Sequence, residues 1–205
     1  MKRFSLCVAL VLLVAFLTTP VAAAAPTDTL RNLAGAYNRE LNANAQFTAW
    51  ALQADKEGYG EVASLFRALA RAEQIHADSL QVLLKKAAAK PMVKILKPVV
   101  GSTQNNVRSA VFVENELRDV IYPRAVKQAA IDKDTTALDL LTRLKNVEAT
   151  HARLLAFTSA HLTSLSGSRG RAYYVCPDCG YVSDKPDFAK CAICPAPRGK
   201  FITVS

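Results

Sequence analysis

FRALARAEQIHADSLQVL, residues 66–83, decides the fold. Phe66, Leu69, Glu73, His76, Leu80 and Leu83 recur at steps of 3, 4, 3, 4 and 3. That spacing sets all six on one helix face, the face a bundle buries. Two of the six are not apolar. Glu73 and His76 stand where leucine belongs, and burying a carboxylate there costs several kcal/mol unless something compensates it. The segment therefore predicts a bundle, and a reason for keeping charge inside it.

Three further segments share the pattern. Residues from about 28 to 56 carry Leu30, Leu33, Tyr37, Glu40, Asn44, Phe47 and Ala51 on one stripe, and Gly58, Tyr59 and Gly60 end the run. The quoted segment belongs to a second helix, about 61–89. A third, about 103–131, aligns Val107, Val111, Glu114, Leu117 and Ile121, with a kink expected at Pro123. A fourth, about 135–164, aligns Leu141, Leu144, Glu148, His151, Leu155 and Leu162. Short turns make the first and second antiparallel, and likewise the third and fourth. The lysine- and proline-rich connection at about 90–102 is long enough for a crossover. The expected fold is an all-α four-helix bundle over residues 28–165, built as up-down pairs with a crossover.

Each helix carries one inward glutamate: Glu40, Glu73, Glu114 and Glu148. The second and fourth add a histidine three residues on, His76 and His151. Glu40 to Glu73 is 33 residues and Glu114 to Glu148 is 34, so the same half-module occurs twice. With seven Glu and three His in the chain, two Glu-x-x-His pairs by chance are roughly a one in three hundred event. Four carboxylates in one apolar core repel each other unless protons or cations intervene. Two divalent ions cancel four negative charges, which is the ferritin-like pattern of di-iron and di-manganese bundles. Oxygen and imidazole donors together suit iron or manganese. Tyr122, about two turns beyond Glu114, is a candidate proton donor or a packing residue. His161 has Thr158 at minus three and reads as a surface or capping residue.

Residues 166–172, SGSRGRA, read as a flexible linker. Beyond it, residues 173–205 hold four cysteines and almost no helical pattern, too little for a core without a staple. Cys176, Cys179, Cys191 and Cys194 form Cys-x2-Cys, eleven residues, Cys-x2-Cys. Two such knuckles hold one tetrahedral metal on four thiolates. The rival is a pair of disulfides, which leaves the repeated knuckle unexplained. Spacing does not separate iron from zinc.

The amino terminus differs again. Lys2 and Arg3 precede an apolar run, Phe4 to Leu17, and then TTPVAAAAP. This reads as a secretory signal peptide, residues 1–24, with an uncleaved anchor as the alternative. Cys7 leaves with it. Export to a periplasmic or other extracytoplasmic space is expected, with no stable membrane association after cleavage. Loss of Lys2 and Arg3 lowers the formal net charge from +9 to +7. One basic cluster remains, KKAAAKPMVKILK at 85–97, read as a solvated loop in preference to a docking patch for an acidic partner. No basic motif with interleaved aromatics points to nucleic acid.

TLRNLAGAYNRE (29–40), ADKEGYGEVASLFRALARAEQIHA (54–77), NVEATHARLL (146–155) and YVCPDCGY (174–181) resemble the signature stretches of rubrerythrins. The resemblance covers about residues 28–205. It implies two irons in a carboxylate-bridged site, one iron on the four cysteines of a rubredoxin-like domain, and a homodimer. It also implies reduction of hydrogen peroxide with electrons from an unidentified donor. Three departures stand out. Leu117 occupies a position where the family usually has a further glutamate, and Phe47 stands where tyrosine is usual. Glu116 is close in sequence, but it faces away unless the helix bulges. The loss keeps dioxygen, in an oxidase or ferroxidase, as a rival substrate, and a non-catalytic redox sensor or iron-binding module is the other alternative. Pro195 replaces the glycine expected after the second cysteine of a knuckle. Having no N–H, it is expected to remove one N–H to sulfur bond and lower the reduction potential.

Overall fold

The computed structural model describes residues 27–205, so the expected signal peptide lies outside the described residues. Helix α1 spans Asp28–Lys56, α2 Gly60–Lys86, α3 Thr103–Glu116, α4 Tyr122–Ile131 and α5 Thr135–His161. Side chains start three of them: the oxygens of Thr27, Ser102 and Asp134 accept from the amides of Leu30, Asn105 and Ala137. Each satisfies an amide that lacks a helical partner.

The third bundle helix is α3 and α4 together, joined by a wide π turn, Leu117–Ile121. The Tyr122 amide donates to the Leu117 carbonyl five residues back. The expected kink at Pro123 is thus a wider turn placed just before the proline, which sits in the first turn of α4. Proline has no amide to donate and its ring crowds the carbonyl four residues earlier, so widening the preceding turn relieves both problems. Among the described residues no helix is long and apolar enough to cross a membrane.

Two apolar cores fill the bundle. One gathers Phe47, Trp50, Phe66, Leu69, Val107 and Leu155. The other gathers Leu33, Leu80, Leu84, Leu117, Tyr122 and Leu141. On every helix the inward glutamate lies in sequence between these two layers, so the ligand-bearing residues form one polar stratum across the middle of the bundle.

The carboxy-terminal module is a three-stranded antiparallel sheet of order β2-β1-β3, from Val182–Ser183, Tyr173–Val175 and Ile202–Val204. It packs along α2 and α5. The segment expected to be a flexible linker is anchored. The Gly60 amide donates to the Ser168 carbonyl, and the Gly167 amide to the Gly58 carbonyl. Arg171 pairs with Glu61 at 2.9 Å. A Cβ on Gly60 would lie 2.7 Å from the Gly170 nitrogen and the Ser168 oxygen, so only glycine lets this strand run so close. Composition marked a flexible stretch; tertiary hydrogen bonds hold it.

Candidate metal centres

All six polar side chains of the bundle stratum are fully buried: Glu40, Glu73, His76, Glu114, Glu148 and His151. They form two overlapping ligand groups, each with its donor atoms within 4.8 Å of one another. The first is Glu40, Glu73, His76 and Glu148; the second is Glu73, Glu114, Glu148 and His151. Glu73 and Glu148 belong to both, which is the position of bridging carboxylates. Glu40 with His76, and Glu114 with His151, are then the terminal pairs.

The donor set fits two metal ions on local grounds. Glu40 Oε2, Glu148 Oε1, both oxygens of Glu73, both of Glu114 and His76 Nδ1 are buried without a hydrogen-bond partner. Such orphans are rare in a packed interior and call for an occupant. His76 Nδ1 lies 3.0 Å from Glu73 Oε2 and 3.0 Å from Glu148 Oε1, and His151 Nδ1 lies 3.2 Å from Glu148 Oε2. The imidazoles stack at 5.6 Å with an interplanar angle of 16°.

The opposite ring nitrogens explain this orientation. His76 Nε2 is 3.1 Å from the Cys179 carbonyl oxygen, and His151 Nε2 is 3.1 Å from the Gly180 carbonyl oxygen. A carbonyl only accepts, so each Nε2 carries a proton and each ring presents its Nδ1 to the carboxylates.

Charge within the cluster follows from who faces the histidines. Burial pushes Glu40 up to about 8, against a weaker pull from His76. Burial and the charge of Glu148 push Glu114 well above the ordinary carboxylate range. Glu73 and Glu148 feel the same burial, yet the two imidazoles beside them hold both below that range. Burial lowers His151, but its bonds to Glu148 and Glu73 carry it up to about 9. Without metal the stratum therefore holds two carboxylates, two imidazoliums and two protonated glutamates, which is neutral overall.

Tyr122 is fully buried and its hydroxyl donates to Glu40 Oε1 in a short contact. Of its two sequence readings, proton donor or packing residue, this contact places its hydroxyl on a ligand. Leu117 is buried in the layer next to the ligands. Phe47 stacks on Phe66 and meets Trp50 edge-on. Glu116 is half-buried and belongs to neither ligand group, even with the π turn beginning one residue later. His161 is exposed near the end of α5, its Nδ1 2.8 Å from the Phe157 carbonyl.

The four cysteines are free thiols whose sulfurs gather within 4.8 Å. Cys176 and Cys194 are 3.6 Å apart at sulfur, as are Cys179 and Cys191. A tetrahedron with metal–sulfur bonds of about 2.3 Å has edges of about 3.8 Å, whereas a disulfide is about 2.05 Å. The geometry is that of a tetrathiolate metal site.

Pro195 acts differently from expectation. Its counterpart Gly180 donates its amide to the Cys176 carbonyl oxygen at 2.9 Å, not to sulfur. In the second knuckle Ile193 donates to Cys191 Sγ at 3.4 Å. The proline thus removes a turn bond to oxygen, and the argument for a lower reduction potential falls with it. Gly180 itself is needed twice. Its φ is +80°, and a Cβ there would lie 2.4 Å from His76 Nε2. The seating of this knuckle on both histidines is the part of the site that motif reading missed. The glycine hints at close backbone approach, but nothing in the sequence says to what.

The rubrerythrin family profile matches residues 31–158. Nigerythrin of Nitratidesulfovibrio vulgaris is 32% identical over 177 residues, covering 85% of each chain. Rubrerythrin of Porphyromonas gingivalis is 28% identical over 178 residues, covering 85% of this chain and 89% of the relative. Among solved structures, the mixed-valence state of nigerythrin superposes with a TM-score of 0.80 at 28% identity, covering 90% of each chain. A bacterioferritin of Desulfovibrio desulfuricans, 21% identical with a TM-score of 0.65 over 70% of this chain and 89% of that one, shares the bundle fold. With its carboxylate-bridged di-iron site and its four-cysteine iron site, the chain belongs to the rubrerythrin family of di-iron oxidoreductases.

Proposed function

We propose that the chain reduces hydrogen peroxide to water in an extracytoplasmic compartment, as a homodimer supplied by an external electron donor. The observation that carries this reading is the contact of the Cys179 and Gly180 carbonyls with His76 and His151, at 3.1 Å each. When bound, the two irons of the bundle supply two electrons and the positive charge that stabilises oxygen anions.

The chain's residues do the rest. Glu73 and Glu148, common to both ligand groups, would hold the two cations together, and Glu40 and Glu114 would each complete one end. The two histidine–carbonyl hydrogen bonds give a short covalent and hydrogen-bonded route from cysteine sulfur to both ends of the cluster. The Tyr122 hydroxyl holds a proton at Glu40 Oε1, beside the place where reduction of peroxide consumes two protons. A cavity of about 210 Å³ reaches that ring from outside, with Asn32, Arg39 and Arg124 among the apolar groups of its wall. The apolar layers on either side exclude bulk water.

One observation favours the second reading, dioxygen as oxidant. A mainly apolar cavity of about 320 Å³ has Phe47, Val113 and Leu117 in its wall, and an apolar gas partitions there better than peroxide. Stopped-flow oxidation of the anaerobically reduced, iron-loaded chain separates the two. Faster oxidation by peroxide than by dioxygen is the expected result, and the reverse order selects the oxidase or ferroxidase reading. Steady-state peroxide consumption with a reducing donor tests turnover, and its absence points to a sensor or an iron-binding module. Amino-terminal sequencing of the protein from fractionated cells tests export.

A further inference from the structure

From residue 79 to residue 113 the chain contains no aspartate or glutamate. The same stretch holds Lys85, Lys86, Lys90, Lys94, Lys97 and Arg108. All six are exposed, and among the described residues no ion pair engages any of them. The part between α2 and α3 is solvated, as expected, and has a defined path. It lies along α1, held by side chains one turn apart.

The Lys94 amide donates to Asn38 Oδ1 at 2.8 Å, and the Leu96 amide to Asn42 Oδ1 at 2.7 Å. Asn42 Nδ2 donates back to the Lys94 carbonyl at 2.9 Å. Gln46 exchanges two bonds with Val99, at 2.8 and 3.0 Å, and Trp50 Nε1 adds a third at 2.9 Å. Asn38, Asn42, Gln46 and Trp50 recur every four residues and so form a single rail on α1. The backbone of the strap is held from beneath at Lys94, Leu96 and Val99, and most of its side chains are exposed. Met92 is 91% exposed, Val99 78%, Leu96 57% and Ile95 53%.

We propose that this strap docks the protein reversibly on an anionic lipid surface. Apolar side chains alternate with lysines along it, Met92 and Val93, then Lys94, then Ile95 and Leu96, then Lys97. Lysine stems lie along an acyl boundary while their ammonium groups reach phosphate, and each basic residue near such a surface adds attraction. The strap is already extended and pinned, so ordering it on contact costs little. A second copy of the chain is the poorer occupant. A twofold contact sets the same patch near itself, which here brings lysines against lysines with no acid in the stretch to offset them. The contact is peripheral and salt-sensitive, unlike stable anchoring by an apolar leader.

The test uses the iron-loaded chain beginning at Thr27, which contains both apolar cores and both ligand clusters. It is sedimented with vesicles of equal parts phosphatidylglycerol and phosphatidylcholine, and with phosphatidylcholine alone. Binding at least about tenfold stronger to the anionic vesicles is expected, weakening as salt rises. Replacing Lys90, Lys94 and Lys97 together by Gln should weaken that binding by about tenfold or more. Met92→Asn with Ile95→Asn should weaken it too while leaving salt dependence in place. Iron content and the thiolate–iron spectrum should match the parent in both variants, which separates loss of docking from loss of fold. Equal or no binding to the two vesicle types overturns the proposal. So do variants that bind as the parent does, or a Met92/Ile95 variant that turns an oligomeric parent monomeric when the parent ignores vesicles.

Discussion

At the scale of single residues, Gly180 carries more than a turn. Its amide closes the first knuckle on the Cys176 carbonyl, its φ is positive, and its missing side chain lets His76 approach. Asparagine tolerates a positive φ but not the 2.4 Å approach to His76 Nε2. Gly180→Asn should therefore keep the thiolate–iron colour and the iron content. It should slow electron passage from the cysteine site by about tenfold or more, because opening the contact breaks a hydrogen-bonded route. Bleaching of the thiolate–iron absorbance after mixing with oxidant reads this directly; an unchanged rate would show that the contact does not carry electrons. Tyr122 makes a second case. Tyr122→Phe leaves the buried Glu40 Oε1 without its donor, at a cost of about 1–3 kcal/mol in the metal-free fold. If the hydroxyl also delivers a proton, peroxide turnover falls by about a hundredfold while peroxide-independent iron loading is retained. Thermal melts and steady-state assays on the same variant separate the two roles.

At the scale of elements, the anchored strand between bundle and module is the most exacting joint. Gly60→Ala puts a methyl group 2.7 Å from the backbone of Gly170 and Ser168. Backbone cannot rotate away as a side chain can, so the strand must lift. The backbone around Arg169 and Arg171 is then freed from its anchor, and trypsin should cut the variant there at a rate well above the parent. Equal resistance would show that the strand shifts without detaching. The wide turn before Pro123 is a milder device. It lets one helix run past a proline while Glu114 on one side and Tyr122 on the other both face the same stratum.

At the scale of the whole molecule, the polar stratum couples stability to protons and metal. In the metal-free chain, burial holds the Glu40 proton up to about pH 8, against an ordinary value of 4.5. The folded state then binds more protons than the unfolded one, so stability falls as pH rises from 4.5 toward 8. His151, carried from 6.5 to about 9, acts in the same direction: its contribution is full below 6.5 and is lost as pH rises through about 9. Glu73 and Glu148 are depressed, so their contribution is present above 4.5 and is lost as pH falls below it. The metal-free melting temperature should accordingly peak at mildly acidic pH and decline toward pH 9. Two divalent ions replace the protons on Glu40, Glu114, His76 and His151, so metal should stabilise most at alkaline pH, and filling the bundle site at pH 6, in chain whose cysteine site is already loaded, should release about four protons per chain. A pH-stat during anaerobic iron addition measures the release, and a value near zero would contradict the neutral-cluster description.

Periodicity and residue type alone determined the bundle, its antiparallel pairs, the stratum of four glutamates and two histidines, and the four-cysteine site. A helix repeats every 3.6 residues, so a charged residue on an apolar stripe announces where it will be buried. Two knuckles announce their metal in the same local way. Three features were settled only by the tertiary structure: the seating of Gly180 and Cys179 on the two imidazoles, the anchoring of residues 166–172, and the rail that pins the lysine-rich strap. Each depends on backbone carbonyls and amides meeting side chains from distant parts of the chain. Every residue carries those groups, so no pattern of residue types marks the ones that will be used. The altered reading of Pro195 has the same origin, because whether a lost amide had faced sulfur or oxygen is a matter of direction in space.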